Sequence, residues 1–258
     1  MRSFSRKSEL LPSSYAAIGR IFFKEYGMHR TYYFPKLLDT LTHKHHQYIA
    51  YHEAGHVAAI YLRNREQNLP PVFFEVIFNP QPSETDSFFA KVEGGRLIEN
   101  LPVVELENAC LGRGVEKQNL QQAYEADVIN LLAGPLAEAK FVAHCDDEVF
   151  NPQLINVSAL RNYGGYADLE SAYRYLEYFI SDERERELKL ATLFLQAYQF
   201  IDQTSHWQCI QHFAHYILSN EQKNISCEQV SQVFDSLLAT REPLLTPSFI
   251  TNNSNGVR

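Results

Sequence analysis

The chain has 258 residues, 45% apolar and 21% charged, with a net charge of −8 at pH 7. That length and composition suit one large or two small globular domains with a core of useful size, and the acidic balance argues against a general nucleic-acid partner. No apolar run approaches the ~18–20 residues of a membrane span, and the first residues lack the apolar stretch and cleavage site of a secretory signal. The four cysteines, Cys110, Cys145, Cys209 and Cys227, form no C-x-x-C pair and read as reduced thiols of a cytoplasmic protein.

Charge is uneven along the chain: residues 1–50 carry eight Lys/Arg against three Asp/Glu. Residues 1–14 are polar and basic and read as disordered. A helix is expected from Tyr15, capped by Ser13 or Ser14 and stopped near Gly27, because Tyr15, Ile18, Ile21, Phe22 and Tyr26 recur at helical spacing. Two readings of this basic amphipathic segment stay open. It packs on the main domain, or it docks on a partner protein or makes peripheral membrane contact through residues 1–30.

Residues 37–64 read as one long helix with an apolar stripe that includes Leu41, Tyr48, Ile49, Val57, Ile60 and Tyr61. Gly55 inside it costs about 1 kcal/mol relative to Ala, a cost that close approach of another segment would offset. His43, His45 and His46 read as solvated helix residues. Pro70-Pro71 ends the region. Residues 72–78 and 88–92 read as two strands, β-branched and aromatic, pairing antiparallel beside the helix; the exposed edge of such a sheet could take an extended peptide by strand addition.

Residues 96–118 connect. From 120 to 144 the pattern is helical again, with Gly134-Pro135 expected to break or kink it. Residues 145–163 read as a polar surface insertion. A further helix opens around Gly164-Gly165-Tyr166-Ala167-Asp168, with Asp168 in its first turn, where a carboxylate is favoured. The charge run 182–187 reads as a solvated helix face. Helices at 186–203 and 205–219 follow, and a turn at 224–228, with Ser226 and Gln229 as a capping box, leads into a last helix at 227–239. The tail after Pro243 is expected to fray. The fold class is mainly α, with a small antiparallel β-sheet next to the helix of residues 52–56.

The chemistry centres on His52-Glu53-Ala54-Gly55-His56, an H-E-x-x-H pattern. Residues four apart lie on one helix face, so both imidazoles can reach one metal ion. Two neutral nitrogen ligands suit Zn²⁺ and leave coordination open for water, which a carboxylate can deprotonate as it attacks a carbonyl. Apolar neighbours on both sides bury the motif, and buried histidines and a glutamate are costly without metal or hydrogen bonds. His206, His212 and His215 read as structural, and Trp207 as core.

Three segments together resemble the FtsH-type zinc metallopeptidases. Residues 51–58, Tyr-His-Glu-Ala-Gly-His-Val-Ala, are similar to that family's active-site helix. Residues 131–138, Leu-Leu-Ala-Gly-Pro-Leu-Ala-Glu, are similar to its L-x-G-G-x-x-A-E segment, and residues 164–172 to its G-A-x-x-D-L-x-x-A-T segment. The resemblance covers roughly residues 45–240 and loosely includes the last helical hairpin. It implies an FtsH-peptidase-like domain at 37–242, flanked by a basic N-terminal segment and helix at 1–36 and a flexible tail at 243–258. It further implies His52, His56 and Asp168 as zinc ligands and Glu53 as general base. Glu138 is a candidate to orient a ligand histidine, with a surface salt bridge as its plain alternative. Glu170 is a fallback ligand that helix geometry would point elsewhere.

The chain departs from the family in three ways. It carries neither a G-x-x-x-x-G-K-[ST] motif nor a membrane helix, about fifteen extra residues separate Glu138 from Asp168, and Pro135 replaces a basic residue. The reading is a zinc-dependent metalloendopeptidase without an ATPase of its own, acting on unfolded or flexible polypeptides, with a separate unfoldase or adaptor as a further partner. The alternatives are a zinc-binding, non-proteolytic peptide-binding module and a helical scaffold with a chance motif.

Overall fold

A computed structural model of the chain describes residues 35–79, 89–98 and 114–239. The expected N-terminal helix at 15–27, the loop at 80–83, Cys110 and the C-terminal tail lie outside the described residues. Within them the fold is mainly α-helical, with seven α-helices and a small three-stranded antiparallel sheet. No helix of the described residues is long and apolar enough to cross a membrane.

The centre is a pair of long helices. Helix α1 (Pro35–Ala58) continues through a π-helical turn (Ala59–Arg63) into a single α-turn, α2 (Asn64–Glu66). It follows the course expected for 37–64. The apolar stripe does not announce the π turn, which begins three residues after His56; such turns recur next to functional sites. Helix α1 lies along α3 (Gly114–Cys145). Tyr51 stacks on Phe141 of α3 at 3.8 Å between ring centroids. At Gly55 the two backbones come so close that a Cβ would sit 2.5 Å from the Ala133 carbonyl oxygen and 2.6 Å from Ala137 Cβ. The helix penalty of a glycine is offset by that approach.

Of the break or kink expected at Gly134-Pro135, the break is absent: helix α3 runs for 32 residues with Pro135 inside. Pro135 removes one backbone donor. However, Leu131, Leu132, Ala133, Leu136, Ala137 and Ala139 around it are all almost fully buried, and packing on every side holds the helical course that local propensity would abandon.

Strands β1 (Phe74–Phe78) and β2 (Ala90–Gly94) pair antiparallel, Val76 opposite Val92. The four remaining helices are α4 (Tyr166–Phe179), α5 (Glu183–Asp202), α6 (Thr204–Ser219) and α7 (Cys227–Ala239). Helices α4 and α5 pack against α3, α6 packs against α1, and β2 lies on the other side of α1. A third strand, β3 (Asn224–Ser226), joins the far side of β1 in the order β2-β1-β3. Those residues were expected only as a turn into the last helix. Three residues are too few for an alternation signal, yet Ile225 is fully buried opposite Val76. The capping box is present in both directions: Ser226 N–H donates to Gln229 Oε1 at 2.9 Å, and Gln229 N–H to Ser226 Oγ at 3.4 Å.

The insertion between α3 and α4 is also better anchored than its polarity suggests. It holds a 3₁₀ turn (Val157–Asn162), and Phe150, Ile155 and Leu160 from it are buried. Among the described residues Cys145, Cys209 and Cys227 are not in disulfides.

One buried carboxylate ties the end of the sheet to the central helix. Asp127 of α3 is fully buried and accepts the backbone N–H groups of Leu97 at 2.8 Å and Ile98 at 3.1 Å. Burial pushes its pKa from 3.8 up to about 6, although the two N–H donors, the Arg96 guanidinium and the Tyr175 hydroxyl favour the charged form.

Two predictions follow from this packing. A Gly55→Ala substitution is expected to destabilise the fold by about 1–3 kcal/mol in chemical denaturation despite the better helix former. Asp127 binds its proton more tightly when folded than when unfolded, so its contribution to stability is fully present below pH 3.8 and is lost as pH rises through about 6. Wild type should therefore gain stability relative to Asp127→Asn, by roughly 1 kcal/mol, between pH 7 and pH 5. Paired denaturation curves at the two pH values read this directly.

Candidate metal centre

His52 and His56 stand one turn apart on α1, and Asp168 comes from the first turn of α4. Their ligand atoms lie within 4.8 Å of one another. His52 Nε2 is 3.2 Å from Asp168 Oδ2, and His56 Nε2 is 3.5 Å from Asp168 Oδ1. Ligands ~2.0–2.2 Å from a tetrahedral ion would be about 3.3–3.6 Å apart, so both imidazole–carboxylate separations fit the edges of such a site.

The outer nitrogens of both rings are already engaged. His52 Nδ1 donates to Glu138 Oε2 at 3.0 Å, and His56 Nδ1 donates to the Asn130 carbonyl oxygen at 2.7 Å. A carboxylate and a carbonyl can only accept, so each neutral ring carries its hydrogen on Nδ1. The Nε2 lone pairs then face Asp168, which also only accepts. Acceptor against acceptor is tenable only with a proton or a cation between them. Orientation of ligand histidines by a carboxylate or a carbonyl is the usual pattern behind metal sites.

The charge inventory agrees. Three carboxylates, Glu53, Glu138 and Asp168, surround two imidazoles in a mostly buried site. Burial alone would lower the His52 pKa, but its bonds to Asp168 and Glu138 and the charges of Asp168 and Glu53 raise it well above 6.5. Burial opposes ionisation of Asp168, yet the two imidazoles hold it far below the usual carboxylate range. For Glu53 burial dominates and the pKa is raised, against the pull of His52, His56 and a bond from the Val92 N–H. That bond, Val92 N to Glu53 Oε2, is 2.7 Å. The group of His52, His56 and Asp168 could therefore hold a metal ion.

Small residues make the geometry possible. A Cβ on Gly134 would lie 2.3 Å from His56 Nε2, inside the imidazole. Gly164 has a left-handed φ of 67° and passes over the His52–Glu138 bond, where a Cβ would meet Glu138 Oε2 at 3.0 Å and His52 Nδ1 at 3.1 Å. The segments 51–58, 131–138 and 164–172 thus meet at one point.

The other candidates stand apart. Glu170 is exposed. His206 is buried, with Nδ1 on the Phe200 carbonyl at 3.1 Å and Nε2 on Glu66 at 2.8 Å, and it bridges α6 to α2 and α5. His212 and His215 are exposed, and His46 stacks on Phe89 at 4.1 Å. Among the described residues, His52, His56 and Asp168 are the single group of three donors arranged for a metal. Sequence reasoning missed the Asn130 carbonyl and the Val92 N–H, because backbone groups leave no side-chain pattern. It read Gly134 as a helix breaker; its place four residues before Glu138 was the available signal.

Comparison of the chain with protein-family models, curated proteins and solved structures finds no match.

Removing the carboxylate behind His52 tests the orientation argument. A Glu138→Ala variant should keep its helical circular dichroism and lose about 10–100-fold in affinity for Zn²⁺, measured by competition with a chromogenic chelator.

Proposed function

We propose that the chain is a zinc-dependent metalloendopeptidase acting on unfolded or flexible polypeptides. The observation that carries this is the pair of Nε2 lone pairs converging on Asp168, with Nδ1 of each ring held from behind. Two imidazoles and one carboxylate are a ligand set that suits Zn²⁺ and leaves room for water and substrate. A zinc ion bound there would supply Lewis-acid activation of water and of a substrate carbonyl. The convergence of segments 51–58, 131–138 and 164–172 supports the resemblance to the FtsH-type peptidases.

Glu53 is the general base in this reading. It sits beside both histidines on the wall of a cavity of about 250 Å³ shared with Asp168. Its raised pKa suits a group that takes a proton from water and hands it to the leaving amine. The Val92 N–H fixes Oε2 and leaves Oε1 for that proton. Strand β2 is at an edge of the sheet among the described residues, and its Val92 N–H points toward the site. An extended chain can align along such an edge, and a cavity of this size calls for a locally unfolded substrate. Folded proteins would then need a separate unfoldase or adaptor. Cysteines outside disulfides among the described residues suit a reducing, cytoplasmic setting.

The alternative is a zinc-binding peptide-capture module without turnover. Casein hydrolysis separates the two. Wild type loaded with zinc should cut casein, and Glu53→Gln should retain zinc at one equivalent per chain while losing at least 100-fold in rate. Equal cleavage by both proteins would remove Glu53 from the mechanism. Zinc binding with no cleavage by either would favour the capture module.

A further inference from the structure

Part of the cavity wall is built by the chain as it leaves β2, through Gly94 and Arg96. Gly94 and Gly95 both have left-handed φ, 79° and 76°, and turn the chain back over the π-helical segment. A Cβ on Gly95 would lie 2.4 Å from Ile60 Cδ1. The next residue, Arg96, is half-buried and lines the cavity together with Glu53, His56 and Asp168. It is held there from behind. The Asp127 carboxylate clamps the two residues that follow it through their N–H groups, so Arg96 rides on a short, doubly anchored stretch rather than a loose loop.

The charges on this wall differ from those of the chain. In a protein of net charge −8, Lys91 and Arg96 both line the cavity, and the two anions that line it are Glu53 and Asp168. Glu53 is engaged by the Val92 N–H, Asp168 by the imidazoles and Lys91 by Glu93, while the charge of Arg96 also acts on the Asp127 carboxylate. A guanidinium presents a rigid planar fork that matches a carboxylate in two parallel hydrogen bonds, which an ammonium does not.

We propose that Arg96 is a specificity-determining residue that binds a substrate carboxylate beside the scissile bond. This rests on the peptidase reading. The carboxylate is that of an Asp or Glu side chain or of a free C-terminus, and the two share one recognition chemistry. Asp127 acts as a positioning residue for Arg96 through Leu97 and Ile98.

The test uses the full chain and a peptide set of one sequence, with Glu, Gln or Lys at a single variable position, each as free acid and as C-terminal amide. Two quantities are read: kcat/KM for zinc-loaded wild type, and Kd by fluorescence anisotropy for Glu53→Gln, which binds without turnover. Discrimination of about tenfold or more is expected for the charged peptide over its neutral analogue. It should be kept in part by Arg96→Lys, abolished by Arg96→Gln and turned toward the Lys peptide by Arg96→Glu. A Glu-over-Gln preference assigns the side-chain carboxylate; an acid-over-amide preference assigns the C-terminus. Equal Kd for all peptides, or a ratio unchanged in Arg96→Gln, overturns the assignment. If casein is cut while the ratios are flat, the peptidase reading stands and Arg96 falls. If the peptides are discriminated in binding but neither they nor casein is cut, the peptidase reading falls, and Arg96 is left as a carboxylate-binding residue of a capture module.

Discussion

The close approach of α1 to α3 governs everything at the centre of this molecule. Two helices with ordinary side chains at the crossing lie 8–10 Å apart. Here Gly55 removes the spacer on one helix, and a Cβ there would collide with the Ala133 carbonyl. On the other helix, Gly134 leaves space that the His56 imidazole occupies. That proximity lets Glu138 and the Asn130 carbonyl of α3 reach the outer nitrogens of histidines on α1. A wider crossing would leave both rings free to rotate and neither lone pair aimed.

From that contact the electrostatics follow. Three carboxylates gathered around two imidazoles in a mostly buried pocket repel one another unless a positive charge joins them. The fold supplies partial compensation from backbone donors: the Val92 N–H on Glu53, and elsewhere Leu97 and Ile98 on Asp127. The same device therefore recurs twice along one strand and its exit. Edge-strand backbone neutralises an acidic group on a central helix, and in doing so docks the sheet against that helix.

Much of this was legible in the sequence, for physical reasons that differ by element. The i, i+4 histidines and the apolar stripe around them need only helical periodicity, as does the helical pattern at 120–144. Asp168 was reachable through its motif, not through spacing, since it lies 116 residues from His52 along the chain. The π turn, the Asn130 carbonyl, the Val92 N–H and the strand at Ile225 were not legible. They are backbone events decided by tertiary contacts, and no side-chain pattern encodes them. At Pro135 the helix is not broken, because burial on all sides outweighs the loss of one hydrogen bond.

The distribution of the three donors along the chain also bears on how the molecule comes to exist. His52 and His56 form a local pair within one helical turn, whereas Asp168 reaches them only through the packing of α4 against α3 and of α3 against α1. Contacts of such sequence separation slow folding, and the insertion between the donors seats Phe150, Ile155 and Leu160 in the core. A partly folded chain therefore carries two histidines and an incomplete donor set. The three donors come together only in the closed core, and an ion held by all three would add its binding energy to folding.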